Sequence, residues 1–263
     1  MKTSKRNKMI IVASLGLVIL LLVIISLAVS KNLWSSDKKQ SSGESAVSEP
    51  EKKHGGKVMI ENVEPIMQDD LKAGCETYAC TMLLRKLGFD VDQYFIADNY
   101  LNCQYVITGD DGVKYGPDMH SAFAGTAYAG WGVYAPAMAK SMNRYLDDQS
   151  SELNAYPLED VPIETLCEDY ISKGVPVMVW ATTDMDEPYV FDEWIVDYVD
   201  ENAKAQKGDT VPWYMHEHCL VLIGYDDSEY YFADSTHGNI SHFEKELAEE
   251  RYEQMGKQAI VVK

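Results

Sequence analysis

The chain is poor in positive charge. It has 23 lysine and arginine residues against 42 aspartate and glutamate residues, so its formal net charge is −19 over 263 residues. Because four of the basic residues, Lys2, Lys5, Arg6 and Lys8, precede position 9, the rest of the chain carries −23. A surface this acidic repels polyanions. The composition therefore argues against a nucleic-acid partner.

Cysteine is scarce and its number is odd. The chain has Cys75, Cys80, Cys103, Cys167 and Cys219, and in an oxidising compartment an odd number leaves at least one thiol unpaired. Spacing alone does not decide whether any two of the last four form a disulfide, so their pairing is left open. An unpaired Cys75 suits a nucleophile.

Metal-binding residues lack the spacing of a metal site. His216 and His218 alternate along an apolar stretch and form one potential pair of ligands. No third ligand accompanies them at a diagnostic spacing, so the pair is interpreted as something other than a metal site. We expect neither a metal nor an organic cofactor.

A long apolar run is present near the N-terminus. Residues 9–29 carry no charge, and about 20 such residues span a bilayer as a helix. The basic residues before the run predict a cytoplasmic N-terminus and an extracytoplasmic remainder, that is, a single-pass protein of the cell membrane. The alternative is a cleaved signal peptide and secretion, because Ala28 and Ser30 are small. The anchor is favoured because the run exceeds a usual signal-peptide core of about 7 to 15 residues.

The rest of the chain divides by composition. The predicted organisation is a cytoplasmic basic tail (residues 1–8), a transmembrane anchor (9–29), a disordered linker rich in polar residues (30–57) and one folded domain (58–263). Helix patterns occur at 94–100, 136–146, 163–172 and 243–255, and strand patterns at 175–180 and 259–262. Helices early and strands late predict an α+β fold.

One cysteine falls where a helix begins. Apolar residues spaced three and four apart predict a helix that ends at Gly88 and has Cys75 in its first turn. The helix dipole and free N–H groups there favour a thiolate, which lowers the pKa of Cys75. Gly74 permits close approach of a substrate, and the Gln68 side-chain amide offers a donor to an oxyanion. Cys80 is interpreted as a buried apolar residue.

A predicted hairpin supplies the partner of this cysteine. Residues 218–225 and 229–234 flank a turn at Asp226 and Asp227. If paired positions sum to about 454, His218 and Asp234 emerge on one face as diagonal neighbours. A carboxylate would then orient an imidazole. With Cys75 packed against that face, the set forms a nucleophile, a general base and an orienting acid.

Two further stretches are candidates for contact with a substrate. Residues 116–136 are rich in glycine and aromatics, which suits a surface loop that frames a cleft, with Trp131 and Tyr134 as substrate-binding residues alongside Gly74. A plain glycine-rich connector is the alternative. Residues 182–211 are acidic and rich in tyrosine without a clear period, and we interpret them as an insertion beside the site.

The sequence resembles the C39-like, papain-fold cysteine peptidases of bacteria. The motifs that carry the resemblance are Ile66-Met67-Gln68, Gly74-Cys75-Glu76-Thr77, Gly116-Pro117, Gly132-Val133-Tyr134-Ala135-Pro136, His216 to Asp226, Phe232-Ala233-Asp234 and Met255 to Ala259. The resemblance implies a helical half that carries the cysteine and an antiparallel sheet that carries the histidine and aspartate. It assigns Gln68 as oxyanion residue, Cys75 as nucleophile, His218 as base and Asp234 as orienting acid.

The function that follows is a membrane-anchored, extracytoplasmic thiol hydrolase that cleaves a peptide or related amide bond of a cell-surface substrate. Two alternatives stay open. One is a binding module on the same scaffold, in which aromatic residues at 128–134 and 189–198 hold a ligand without turnover. The other is a cysteine-dependent cell-wall amidase, which uses the same chemistry on another acyl group.

Overall fold

The computed structural model of the chain describes residues 56–263. The predicted basic tail, the apolar run and nearly all of the linker lie outside the described residues. Within 56–263, none of the helices combines the length and the apolar character needed to cross a bilayer.

The described part is a mixed α+β fold. Its α-helices are α1 (Cys75–Lys86), α2 (Gln93–Asn99), α3 (Ala135–Asp148), α4 (Ile163–Asp169) and α5 (Lys245–Gln254). Its strands are β1 (Val58–Met59), β2 (Cys103–Gln104), β3 (Ile107–Thr108), β4 (Lys114–Pro117), β5 (Phe123–Thr126), β6 (Ala129–Gly130), β7 (Ala155–Glu159), β8 (Val177–Thr182), β9 (Tyr189–Tyr198), β10 (Thr210–Met215), β11 (Glu217–Tyr225), β12 (Glu229–Asp234), β13 (Asn239–Glu244) and β14 (Gln258–Val262).

An antiparallel sheet of seven strands forms the centre of the domain. Its order is β13-β12-β11-β8-β14-β7, and β1 pairs with β11 beside this path. Strand β11 is buried from His218 to Gly224, and all of β8 is buried, which explains why both read as continuous apolar runs rather than alternating ones. The late strands predicted from sequence therefore belong to one sheet.

Helix α1 packs against this sheet. Its first ten residues, from Cys75 to Leu84, are buried, so the helix lies inside the domain rather than at its surface. The predicted stop at Gly88 is confirmed, since its φ is +94° and its N–H donates to the Arg85 carbonyl at 3.0 Å. Helix α1 contacts strands β8, β11 and β12 of the sheet.

Two stretches differ from the sequence predictions. Residues 182–211 contain most of a β9–β10 hairpin; the period was hidden because the first three residues of β9 are exposed, whereas Trp194 and Val196 further along are buried. A strand, β13, occupies the beginning of the predicted last helix and pairs with β12, so that helix starts at Lys245 rather than Phe243.

The stretch 116–136 is not a surface loop. It contains the end of β4, all of β5 and β6 and the start of α3, and its core from Gly116 to Gly125 is buried except at His120. Gly125 adopts a φ of +92° where β5 turns against Gly130, a conformation that favours glycine. The glycines serve close packing of strands, and only the part around Gly130 and Trp131 reaches the cleft described below.

Candidate active site

The short segment that precedes α1 is held in place by hydrogen bonds. The Asp69 N–H donates to the Tyr78 hydroxyl at 3.0 Å, and the Asp69 carboxylate accepts from the hydroxyls of Tyr78 and of Tyr94. These hydrogen bonds lower the pKa of Asp69 to about 2. Since Tyr78 belongs to α1, the segment before Cys75 is tied to the helix that carries the sulfur.

The hairpin register predicted from sequence is confirmed near the site. Val221 pairs with Ala233, so paired positions sum to 454 there before a bulge shifts the register toward the turn. His218 and Asp234 consequently lie at the same end of neighbouring strands. The His218 Nε2 atom is 2.9 Å from the Asp234 Oδ1 atom.

Asp234 is held as a carboxylate by several donors. Its Oδ2 accepts from the Ser241 hydroxyl and its Oδ1 from the Thr236 N–H, both at 2.8 Å. Burial opposes ionisation, but His218 and these donors outweigh it, so the pKa of Asp234 lies below its usual value. The ring nitrogen Nε2 of His218 is engaged by Asp234 and by the Thr236 hydroxyl at 3.1 Å, so neither of these contacts uses Nδ1.

Cys75 and His218 line one cleft of about 470 Å³. Its wall also includes Gln68, Trp131 and His216. Helix α1, which begins at Cys75, packs against strand β11, which contains His218. The structure therefore brings the start of α1 and the start of β11 together at one open surface.

The ionisation state of Cys75 differs from the prediction. Burial, followed by the charges of Glu76 and Glu217, raises the pKa of Cys75 well above its usual value. The prediction of a lowered pKa was wrong in this structure because it weighed the helix dipole alone. The Cys75 residue is only 7% exposed and its sulfur has two carboxyl groups nearby, so desolvation and like charge exceed the favourable dipole.

Glu76 and Glu217 are site residues that the sequence analysis missed. Glu76 is fully buried; its Oε1 accepts from the Val133 N–H at 2.7 Å and its Oε2 from the Cys75 thiol at 3.4 Å. The sequence held one signal: Glu76 lies in the first turn of a helix whose apolar residues cover much of its circumference. An acidic residue at a helix start is ordinarily an exposed partner of the helix dipole, so this signal does not by itself predict a buried site residue.

Gln68 lines the cleft, but its amide is engaged. Its Nε2 donates to the carbonyls of Leu71 at 2.8 Å and Lys72 at 3.3 Å, and its Oε1 accepts from the Ser235 hydroxyl at 3.3 Å. Both amide hydrogens are thus committed to the segment before α1. Donation to an oxyanion would replace one of these two bonds.

The three residues predicted to bind substrate have different surroundings. Trp131 lies on the wall of the cleft and packs edge-on against Trp194, with ring centroids 5.6 Å apart. The structure does not bring Tyr134 to this wall: its ring lies 4.9 Å from that of His120, beside a separate cavity of about 260 Å³. Gly74 is enclosed instead of facing the cleft, since a Cβ there would come within 2.8 Å of the Leu71 Cβ.

The remaining histidine and cysteine assignments are resolved by local contacts. His216 contacts Asp186 at 3.9 Å and the Tyr189 ring, whereas His218 Nε2 is bound to Asp234. The two imidazoles therefore have different neighbours. All five cysteines are free thiols.

Comparison with known proteins identifies the family. The Peptidase_C39 like family matches residues 60–260, and the chain belongs to it. The chain is similar to the uncharacterized protein YvpB of Bacillus subtilis (strain 168), with 26% identity over 191 residues, which is 72% of this chain and 68% of that protein. It is also similar to a crystal structure from Bacillus anthracis provisionally described as a C39-like peptidase, with a TM-score of 0.65 and 28% identity over 80% of this chain and 98% of that one.

Proposed function

We propose that the chain is a cysteine hydrolase with a papain-like arrangement that cleaves a peptide or related amide bond. The observation that supports the proposal is the shared cleft, which is lined both by Cys75 at the start of α1 and by His218, whose ring is held by Asp234. Nucleophile, base and orienting acid are the three roles that covalent acyl transfer requires.

The chemistry follows from these positions. The Cys75 sulfur attacks the substrate carbonyl carbon while its proton passes to Nδ1 of His218, and Asp234 stabilises the resulting imidazolium through Nε2. The ring then gives this proton to the leaving amine as the carbon–nitrogen bond breaks, and a thioester to Cys75 remains. His218 next takes a proton from water as the water oxygen attacks the thioester carbon. The carbon–sulfur bond then breaks, the carboxylic acid product leaves, and His218 returns the proton to the sulfur, which restores the thiol.

The oxyanion of the tetrahedral intermediate needs hydrogen-bond donors close to the Cys75 sulfur. The backbone N–H of Cys75 is the first candidate, because α1 has no side-chain cap and first-turn N–H groups lack partners within the helix. The amide of Gln68, also at the cleft, is the second once substrate displaces one of its two carbonyl partners.

The test compares the full-length protein with two cysteine variants on a peptide library and on cell-wall fragments, with products followed by mass spectrometry. Wild type and Cys80→Ala should form product and Cys75→Ala should not. Cys80 is the matched control because it is a buried thiol of the same helix, outside the cleft. Equal product from wild type and Cys75→Ala would refute the proposal, and the substrate class that is cleaved distinguishes a peptidase from a cell-wall amidase.

A binding module is a second candidate. It is favoured by the raised pKa of Cys75 and by the exposed apolar residues Tyr189, Val190 and Phe191 at the start of β9, beside His216. A ligand from the same library that wild type and Cys75→Ala retain equally, without product, would select this function.

We also propose that residues 9–29 anchor the protein in the cell membrane with residues 58–263 outside the cytoplasm. The support is the uncharged run and the basic residues before it. Protease added to intact cells should degrade the C-terminal domain, and the intact mass of the membrane-bound protein should include the N-terminus. A mature protein that lacks residues 1–30 and appears in the medium would show that a signal peptide is cleaved instead.

A further inference from the structure

Two glutamates lie near the sulfur of Cys75 and take no part in the steps of hydrolysis described above. One oxygen of Glu76, one oxygen of Glu217 and the Cys75 sulfur all lie within 4.8 Å of one another. Both carboxyls also contact the same backbone: a Cβ on Gly132 would come within 2.6 Å of Glu76 Oε1 and 3.3 Å of Glu217 Oε2. The group is therefore closely packed.

The two carboxyls differ in their hydrogen bonds. Glu76 accepts from the Val133 N–H and from the Cys75 thiol. Glu217 is partly buried as a residue, but its Oε1 is inaccessible to solvent and has no hydrogen-bond partner within residues 56–263. A buried carboxylate oxygen without a donor is costly, whereas a protonated carboxyl costs far less to bury.

No cationic side chain compensates these carboxyls in the described part of the chain. The titratable groups that act on Glu76, Glu217 or the sulfur from the neighbouring elements are themselves acids: Cys103 on β2, Tyr134 at the start of α3 and Cys219 on β11. The cleft-lining Lys72 donates to the Asp69 carbonyl instead, and His218 uses its Nε2 for Asp234.

Two carboxyls this close, buried and without a counter-ion do not both ionise near neutral pH. Burial raises the pKa of Glu76 to about 7. Burial together with the charge of Glu76 raises the pKa of Glu217 well above its usual value. The raised pKa values of both carboxyls agree with the packing, which disfavours two negative charges at this buried position.

We propose that Glu76 and Glu217 together keep at least one proton at neutral pH, which we call the shared proton of the pair, and that the remaining negative charge on the pair holds Cys75 as a thiol until His218 removes its proton during attack. The inference rests on the proposed function for the role of His218. Within that function, Glu76 and Glu217 are positioning residues for a proton, and the resting protein contains no preformed thiolate–imidazolium pair.

The first experiment measures iodoacetamide alkylation of Cys75 in the full-length protein across pH, followed on the Cys75 peptide by mass spectrometry. Wild type should react half-maximally above the ordinary thiol pKa of about 8.5. The double variant Glu76→Gln/Glu217→Gln, which carries no charge at the pair, should react at least tenfold faster at pH 7, since one pKa unit is a tenfold change in thiolate. A wild-type rate that is already maximal at pH 7, or a double variant with the wild-type profile, would overturn the proposal.

The second experiment detects the shared proton without using the thiol. A carboxyl whose folded-state pKa is raised contributes stability below its unfolded pKa of about 4.3, and this stability is lost as pH rises through about 7. The thermal midpoint of wild type should therefore fall between about pH 5 and pH 8 by more than that of Glu76→Gln or Glu217→Gln. Glu193→Gln, an exposed glutamate on β9, should keep the wild-type slope.

Equal slopes in wild type and both single variants would refute the shared proton. If the double variant does not fold, these slopes decide the matter alone. Neither measurement needs a substrate, so a failure of the proposed hydrolysis remains distinguishable from a failure of this inference.

Discussion

The Nε2 atom of His218 lies 2.9 Å from Oδ1 of Asp234 and 3.1 Å from the hydroxyl of Thr236. Both partners bind the same ring nitrogen, so they fix the orientation of the imidazole without using Nδ1. The Ser241 hydroxyl, bound to the other carboxylate oxygen, fixes the aspartate in turn. A chain of hydrogen bonds from β13 to β11 thus holds the imidazole of His218 in one orientation, as the proposed base requires.

Replacing Asp234 by asparagine should disable the proposed base with little change of shape. Without the Asp234 carboxylate, no negative charge stabilises the imidazolium that forms on His218 during attack. The neutral ring also loses the hydrogen-bond partner that selects its tautomer. We expect kcat/KM on the identified substrate to fall by at least about a hundredfold. Asp226→Asn is the matched control, because Asp226 caps the turn of the same hairpin outside the cleft. Equal decreases of kcat/KM in the two variants would mean that Asp234 affects activity only by stabilising the fold.

The same substitution should change the acid sensitivity of the domain. The folded-state pKa of Asp234 is lowered, so its contribution to stability is present above the unfolded pKa of about 3.9 and is lost as pH falls through the folded value. Wild type should be more stable than Asp234→Asn near pH 6, and this difference should shrink toward pH 3. Denaturant unfolding at both pH values measures it, and a difference that stays constant or grows in acid would contradict the prediction.

Substitution of Gln68 tests whether its side-chain amide is a catalytic hydrogen-bond donor or only stabilises the segment before α1. Its amide binds the carbonyls of Leu71 and Lys72 in the structure, and a substrate that replaces one of them would gain the donor. We expect Gln68→Ala to lower kcat by about a hundredfold, the usual cost of one oxyanion donor. Ser235→Ala, which removes only the bond to Gln68 Oε1, should leave kcat unchanged. A loss of thermal stability in Gln68→Ala without a loss of kcat would show that Gln68 has only a structural role.

The position of His218 beside Asp234 could be predicted from sequence because it depends on a hairpin whose two strands are close together in the sequence. A short turn between two apolar runs determines the hairpin register, and the register determines which residues are diagonal neighbours. The placement of Cys75 at the start of α1 follows from the helical period in the same way. Both predictions use residues close together in the sequence.

The surroundings of Cys75 could not be predicted in this way. The carboxyl of Glu217 reaches the sulfur from a strand about 140 residues later in the sequence, and desolvation of Cys75 depends on all elements packed around it. Tyr134 shows the same limit: its position in a glycine-rich stretch suggested the cleft, but the turn of its ring toward His120 is set by tertiary packing. Ionisation states and side-chain directions are properties of the assembled domain.

Trp131 and Tyr134 provide a direct test of which aromatic residue contacts substrate. Both were predicted to do so, but only Trp131 lies on the wall shared with Cys75. An indole buried by substrate contributes about 1.5 to 3 kcal/mol, so Trp131→Ala should raise KM by about tenfold or more. Tyr134→Ala should leave the KM of the folded protein unchanged, because that ring faces the separate cavity. Steady-state kinetics on the identified substrate, with Trp131→Phe as the variant that restores part of the affinity, measures both effects. An increase in KM for Tyr134→Ala alone would place the substrate in the second cavity and separate binding from the sulfur of Cys75.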